Sequence, residues 1–436
     1  IFLMIKKRIL IFLLFFYCVS VKSQVIFSHD AGVYNTPFYL KISYPDEATL
    51  YYHDIHIDQR KKIFSDSLLI NRTTTIFFEL NNNGESIHLD KKTYFFDFQT
   101  NFNIVSLTIP NNSLFNPSSG IYVAGPNARY DSTISKINGC VSMSNSNYLK
   151  KIEREVYVEI FDENGLRIIN QSAGLRIFGG LTRYYPEKSL KIVARKKYGK
   201  SRMKANIFKK GTKKYKQFIL RHSGQDYKKT RFKDVLSTNL ASKSFLDVQA
   251  SVPSHLFVNT EYWGVYNIRE KINKHYIDNN YGVDKIDLLK GKNIVEEGNS
   301  KRYKELLNFL SNSDLSLASE YNHAISFMDH RNFANFWIYQ IYFGNQDVRG
   351  NIRYWRSDSL DGRFRWILYD TDLGWLNSNS SLLFDIIFTN NIKWYNPKWS
   401  TFLLRSLLVN KEFKEYFINQ IAFLTSTILS EDYVKK

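Results

Sequence analysis

Between residues 25 and 105 the apolar positions fall into short β-prone runs separated by turn residues: Val25-Ile26-Phe27, 38–42, 49–52, 68–70 and 75–78. Runs of this length at such even spacing predict a small all-β sandwich. The Pro/Asn/Ser cluster at 111–119 marks a boundary or a long loop. The β texture continues through 156–161, the turn Asp162-Glu163-Asn164-Gly165, 174–178 and 189–193, and it returns as a strand pair around 256–259 and 264–268. After Asp226 helix-like spacing sets in. From 301 to 343, Leu306, Leu307, Phe309, Leu310, Phe333, Phe336, Trp337, Tyr339 and Ile341 recur at helical intervals, and 412–429 reads as a further helix. A β-rich portion followed by a helical one predicts an α+β layout with two lobes.

The N-terminus follows a different pattern. Met4-Ile5-Lys6-Lys7-Arg8 precedes an unbroken apolar run over 9–17, and Val21-Lys22-Ser23 follows it. That order of charged, apolar and small residues is that of a secretory signal, and the apolar run is too short to span a bilayer. Val21 and Ser23 suit cleavage after Ser23, whereas Phe16-Tyr17 are too bulky for a lipid-anchor site at Cys18. The expected domains are a signal peptide (1–23), a small β-sandwich (24–102) and a larger domain (103–436). The mature protein is then secreted or at the cell surface or periplasm, without a transmembrane anchor. Cleavage leaves Cys140 as the single thiol, so no internal disulfide forms and the fold rests on its core, for which 33 Phe, 29 Tyr and 7 Trp supply the bulk. One cysteine and nine His without H-E-x-x-H spacing give no zinc site. His53 and His56, three apart in a strand, face opposite ways.

The formal charge of +19 would by itself raise nucleic acid or an anionic surface as a partner. Here the charge is spread in short clusters such as Lys196-Lys197 and Lys209-Lys210, with no nucleic-acid motif beside it. Lys6, Lys7, Arg8 and Lys22 leave with the signal, lowering the charge to +15. Nucleic acid is not expected as a partner.

The stretch most suggestive of chemistry is Asn345-Gln346-Asp347-Val348-Arg349-Gly350-Asn351. Two aromatic-rich alternating runs follow it, folded about Asp361-Gly362 and ending in Tyr369-Asp370-Thr371-Asp372. These predict a β-hairpin pairing Ile352 with Ile367, whose open end gathers Asp347, Asn351, Asp370 and Asp372. Three carboxylates and an amide repel one another unless a cation neutralises them, and oxygen ligands suit Mg2+ or Mn2+. Such a set serves phosphoryl transfer, one Asp orienting the attacking hydroxyl while an Asn and another Asp hold metal. The plainer alternative is a group of solvated loop carboxylates. Upstream, Gly179-Gly180 opens a segment carrying Arg183, Lys188 and Lys191. A glycine turn leading into a strand with these cations would cradle phosphates. Lys188 and Lys191, three apart, point to opposite faces, so at most one faces the cleft.

Taken together, these segments resemble the CotH kinase family, named for spore-coat protein H, in the form found in secreted bacterial proteins. The resemblance runs through Ser118-Ser119-Gly120-Ile121-Tyr122-Val123, 156–165, 174–191, Leu220 with Asp226 and Arg231, the E-Y-W-G-x-Y strand at 261–266 with Asn267 to Lys271, 347–356 and 367–373. It spans roughly 103–436, and the joint presence of E-Y-W-G-x-Y, G-x-x-R-x-x-P-x-K and D-x-D is its most specific mark. It implies a two-lobed atypical protein-kinase-like fold binding ATP and Mg2+ or Mn2+ between the lobes. Asp347 matches the catalytic Asp, Asn351 the metal-binding Asn, and Asp370 or Asp372 the metal Asp. Lys188 matches the phosphate-contacting Lys, with Arg183, Gly179 and Gly180 beside it, and Glu270-Lys271 match the segment bordering the adenine. One Asn follows Asp347 where relatives often have two, and there is no His, which bears on a second metal site. With the helix at 412–429 so close to Lys436, the domain reads as cut short. The expected activity is transfer of the ATP γ-phosphoryl group to Ser/Thr of an exported or surface protein. The alternatives are a non-catalytic surface-binding or adhesion module on the same fold and, with no motif behind it, a metal-dependent nuclease.

Overall fold

Along Phe38–Ser43, buried Leu40 and Ile42 alternate with exposed Tyr39, Lys41 and Ser43, the two-residue period that turns one strand face to a core and the other to water. In the computed structural model, which describes residues 25–55, 60–98, 100–375 and 397–435, this strand lies between Ile26–Phe27 and Ser67–Ile70 in a three-stranded sheet. A second sheet has the order Gly32–Tyr34, Glu85–Phe96, Thr74–Asn82, Ala48–Asp54, Lys62–Ile63. Leu40, Ile42 and Ile70 of the first sheet pack with Leu50, Ile76, Phe78, Leu80 and Tyr94 of the second. The expected signal segment at 1–23 and His56 lie outside the described residues.

Glu85–Phe96 carries no strand signal in the sequence, because its first half is polar and exposed. Its pairing follows instead from Asn83-Gly84, which adopt φ of 50° and 85°. Two consecutive left-handed residues make the tight hairpin turn that Asn-Gly favours, and the turn lays 85–96 along Thr74–Asn82.

Two compact units make up the chain. One contains residues up to Thr108 with Val158–Asn170 and Leu256–Trp263; the other contains Ile109–Tyr157, Gln171–His255 and the chain from Gly264 onward. The division is therefore not a single point such as 102/103. Within the first unit Glu159 is fully buried, accepts from Arg167 at 2.9 Å and from the Thr93 N–H at 3.3 Å, and is also bonded to the Thr93 hydroxyl. Burial pushes its carboxyl up although Thr93 and Arg167 pull it down.

In the second unit the strands 171–178, Ser189–Val193, Gln217–Arg221 and 264–270 pair in that order, all antiparallel. A five-stranded sheet follows, in the order Asp247–Val248, Arg365–Leu368, Arg353–Arg356, Asp287–Lys290, Ile294–Glu297. Tyr354, Trp366, Leu368 and Leu289 join the core formed with helices Lys301–Asn312, Ala318–Ser326, His330–Tyr342, Lys398–Leu407 and Lys411–Ser426. Trp355, Ile367, Leu288 and Tyr369 pack on the other side with Ile272, Tyr276 and Ile277. The protein is thus a mixed α+β structure. Among the described residues no helix is long and apolar enough to cross a membrane.

The expected hairpin forms, with its register shifted by one residue. Arg353, not Ile352, faces Ile367, and Tyr354 faces Trp366. Residues directly opposite share a sheet face, so pairing Ile352 with Ile367 would have set Tyr354 against Arg365 and divided the aromatic layer between faces. The turn closes through the Gly362 N–H to Ser357 O (3.0 Å) and the Arg356 guanidinium to Gly362 O (2.9 Å). The expected strand at 264–268 also begins earlier: Asn259 and Thr260, at φ 50° and 68°, form a two-residue turn into Glu261–Glu270.

Arg167→Met would leave Glu159 buried without its cation and is expected to cost about 3–5 kcal/mol in denaturant unfolding. The double variant Glu159→Gln/Arg167→Met should recover part of that loss.

Candidate functional site

Two chain segments leave the open end of the hairpin, and each carries acid. Before Arg353–Arg356 comes the short turn Val348–Gly350, with Asp347 ahead of it and Asn351 behind. The Asn351 amide donates to the Asp347 carboxylate (3.0 Å), the Asp347 carbonyl (3.2 Å) and the Asp370 carbonyl (3.4 Å), stapling the two segments together. The Asp347 N–H donates to Asn345 Oδ1, and Asn345 donates to the Gln340 side chain on helix His330–Tyr342. Burial and the facing Asp370 carboxylate push Asp347 up to about 6.

After Arg365–Leu368 the chain turns sharply, with Asp370 at φ 59°. A non-glycine residue takes that conformation at a cost its surroundings must over-determine. Here they do so through Thr371, whose N–H and hydroxyl both donate to Asp234 Oδ1 at 3.0 Å. Asp234, near the start of helix Lys233–Ala241, is also ion-paired with Arg269, and Arg221 Nε lies 3.6 Å away. Burial opposes its charge, but Arg269, Arg221 and Thr371 outweigh that and hold the carboxyl at about 2.

Arg221 ends strand Gln217–Arg221, and its Nη2 bonds both Asp370 and Asp372, the latter at 2.8 Å. Asp372 also accepts the Gln225 N–H at 2.8 Å. Burial pushes Asp372 up to about 7 against the pull of Arg221, and Asp370 and Asp234 add to the push. Gly224 makes the approach possible: at φ +59°, a Cβ there would sit 1.9 Å from Asp372 Oδ2.

The four residues predicted to converge therefore do so, but unequally. Asp372 is buried and held by two donors, while Asp347, Asn351 and Asp370 border one another. Among the described residues no group of three or more His, Cys, Asp or Glu is arranged to hold a metal ion. Mg2+ does not require such a cage, since one or two carboxylates commonly share it with phosphate oxygens and water. Asp347 and Asp370, like charges that act on each other beside the Asn351 amide, are a donor set whose chemistry fits such a cation.

The basic segment is arranged otherwise than its sequence suggests. Gly179-Gly180 lead into the short helical turn Leu181–Tyr184, not into a strand. Arg183 donates to the Leu149 carbonyl at 2.6 Å and to the Gly180 carbonyl. The buried Lys188 precedes strand Ser189–Val193, donates to the Tyr185 carbonyl and sits over the Tyr148 and Tyr122 rings at 4.4 and 5.2 Å. Burial lowers it to about 8. Lys188 reaches the acidic end only through intermediaries, Tyr185 bonding the Gln225 side chain and the Gln225 N–H meeting Asp372. The Glu270 carboxylate turns inward to the Ala250 N–H and Asn280. Lys271 lies over the Phe178 ring at 5.6 Å, lowered to about 8 by burial and by Arg353, with Glu296, Lys191 and Lys290 also acting on its charge. Lys290 acts on Asp347 as well. Arg353 pairs with both Glu296 oxygens (2.8 and 3.0 Å) and stacks over Tyr369 at 4.6 Å.

Sequence reasoning missed Arg221, Gly224, Asp234, Arg269 and Arg353. The available signal is an Arg ending a strand with a Gly three residues on, in a stretch whose family match rests on Leu220, Asp226 and Arg231.

Gly224→Ala is expected to lower stability by at least about 2 kcal/mol in denaturant unfolding, since the methyl group must displace Asp372 at a strained φ. For Lys188, the folded value near 8 lies below the ordinary 10.5. The unfolded chain therefore binds more protons between those pH values, and the stability contributed there rises with pH. Unfolding of wild type and Lys188→Met between pH 7.5 and 10 should show the wild type gaining relative to the variant.

A family model described as CotH kinase protein matches residues 175–436. No curated protein matches the chain. The matched span contains the paired strands from 175 onward, the Arg221–Asp234–Arg269 network and the acidic hairpin end, and it covers more than half of the sequence: the chain belongs to the CotH kinase family.

Proposed function

We propose that this protein is an atypical protein kinase that takes ATP with Mg2+ or Mn2+ and transfers the γ-phosphoryl group to Ser/Thr of an exported or surface protein. The observation that carries this reading is that the Asn351 amide bonds the Asp347 carboxylate and the Asp370 carbonyl at the hairpin end, where the Asp370 charge acts on Asp347. Asp347, with a carboxyl raised toward neutrality, suits a group that orients a hydroxyl and takes its proton. Asp370 and Asn351 would hold the metal, which when bound neutralises phosphate charge. Asp372, committed to Arg221 and the Gln225 N–H, is the poorer candidate of the two. Lys271, Lys290 and Arg353 would supply positive charge for phosphates beside the Lys188 and Arg183 that the family resemblance implies. The strand-rich part through Glu270 and the helical part beyond it would form the two lobes, with the Glu270-Lys271 backbone bordering the adenine. Secretion after cleavage at Ser23 belongs to the same proposal.

A non-catalytic binding module on this fold draws support from Lys188 and Arg183, both bonded to backbone carbonyls. Nucleotide binding separates the two readings. ATP with Mn2+ should raise the melting temperature of the purified protein, and Asp370→Asn should remove that shift. Asp347→Asn should retain the shift but lower phosphate incorporation by about 10²–10⁴-fold. An unaltered incorporation rate in Asp347→Asn would reject its role, and no nucleotide shift in wild type would favour the binding module.

A further inference from the structure

Arg221 bonds two carboxylates whose situations differ. Asp372 is 6% exposed, and Gln225 N–H and Gly224 hold it in place from the other side. Asp370 is 30% exposed at its side chain, and among the described residues Arg221 is the one donor to its carboxylate. Arg221 is further anchored near Asp234, with Nε at 3.6 Å from Oδ2. Its hold on Asp372 is thus buttressed, while its hold on Asp370 is a single contact at the open side of the network. A guanidinium cannot relinquish its charge by losing a proton. A second cation competing for the carboxylate can displace it.

We infer that Arg221 is an exchangeable counter-cation: it holds Asp370 in the metal-free protein and gives that carboxylate up, keeping Asp372, when a divalent cation binds. Arg221 is therefore a positioning residue that sets metal affinity without touching the metal. The inference rests on the reading of Asp370 as a metal ligand. While the Arg221–Asp370 pair is made, the site is not competent to bind, and the apparent affinity falls by the fraction of time it is made. Removing the guanidinium should then tighten metal binding, the opposite of what loss of a merely structural residue would do.

The probe is Mn2+ alone, titrated into the purified full chain and followed by the electron paramagnetic resonance signal of the free ion. Arg221→Gln should bind Mn2+ about tenfold more tightly than wild type. Arg221→Lys should fall between, because an ammonium lacks the planar fork that spans two carboxylates. Equal or weaker Mn2+ binding by Arg221→Gln overturns the inference while leaving the metal site standing. If Arg221→Gln does not fold, Arg221→Lys decides by the same criterion. Asp370→Asn should abolish Mn2+ binding in both wild-type and Arg221→Gln backgrounds. Unchanged binding in Asp370→Asn would instead reject Asp370 as a ligand, and the inference with it.

Discussion

The buried ion pair between Asp234 and Arg269, with Arg221 beside it, is the constraint on which the site depends. Desolvating such charges is expensive, and removing one partner of a buried pair typically costs about 3–5 kcal/mol. Here the expense is offset in part: Asp234 accepts from Arg269 and twice from Thr371, and Arg269 also donates to the Gln249 carbonyl, while among the described residues the buried Nε of Arg269 has no hydrogen-bond partner. These contacts tie strand Gln217–Arg221, strand Glu261–Glu270, helix Lys233–Ala241 and the turn after Arg365–Leu368 to one point. The left-handed Asp370 follows from it, because Thr371 has both its donors fixed on Asp234.

Around that neutralised centre the acidic end is left short of positive charge. Asp370 and Asp372 share one nitrogen of Arg221, and the Asp347 carboxylate accepts from the Asn351 amide. The carboxyls of Asp347 and Asp372 are raised chiefly by burial, and the neighbouring Asp370 charge adds to both. The charge of Lys290 acts on Asp347; Arg353 and Asp370 act on one another; and Lys271 is near Arg353. An anionic ligand arriving with its own divalent ion would complement both halves at once, and phosphate chemistry in this family is consistent with that balance.

The β-sandwich obeys a separate logic. Its core is apolar and continuous between the two sheets, and the charge buried beside it is paired: Lys92 with Asp30, and Glu159 with Arg167. The Asn83-Gly84 turn shows how a short local signal can override a weak strand propensity: two residues able to adopt positive φ determine the pairing of twelve mostly polar ones.

The sequence by itself determined what depends on local order. Alternation predicted the strand runs and the hairpin, helical spacing predicted 301–343, and hairpin closure brought Asp347, Asn351, Asp370 and Asp372 to one end. Even there the register needed the tertiary layer of Tyr354 and Trp366 against the helices. What only the tertiary structure decided is which charge meets which. Arg221 and Asp370 lie 149 positions apart and Asp234 and Thr371 lie 137 apart, and contacts between such distant segments leave no periodicity to read. For the same reason the setting of Lys188 is not legible in the sequence. Its spacing places it beside a glycine turn, but the Tyr122 and Tyr148 rings and the Tyr185 carbonyl, assembled only on folding, draw its ammonium inward.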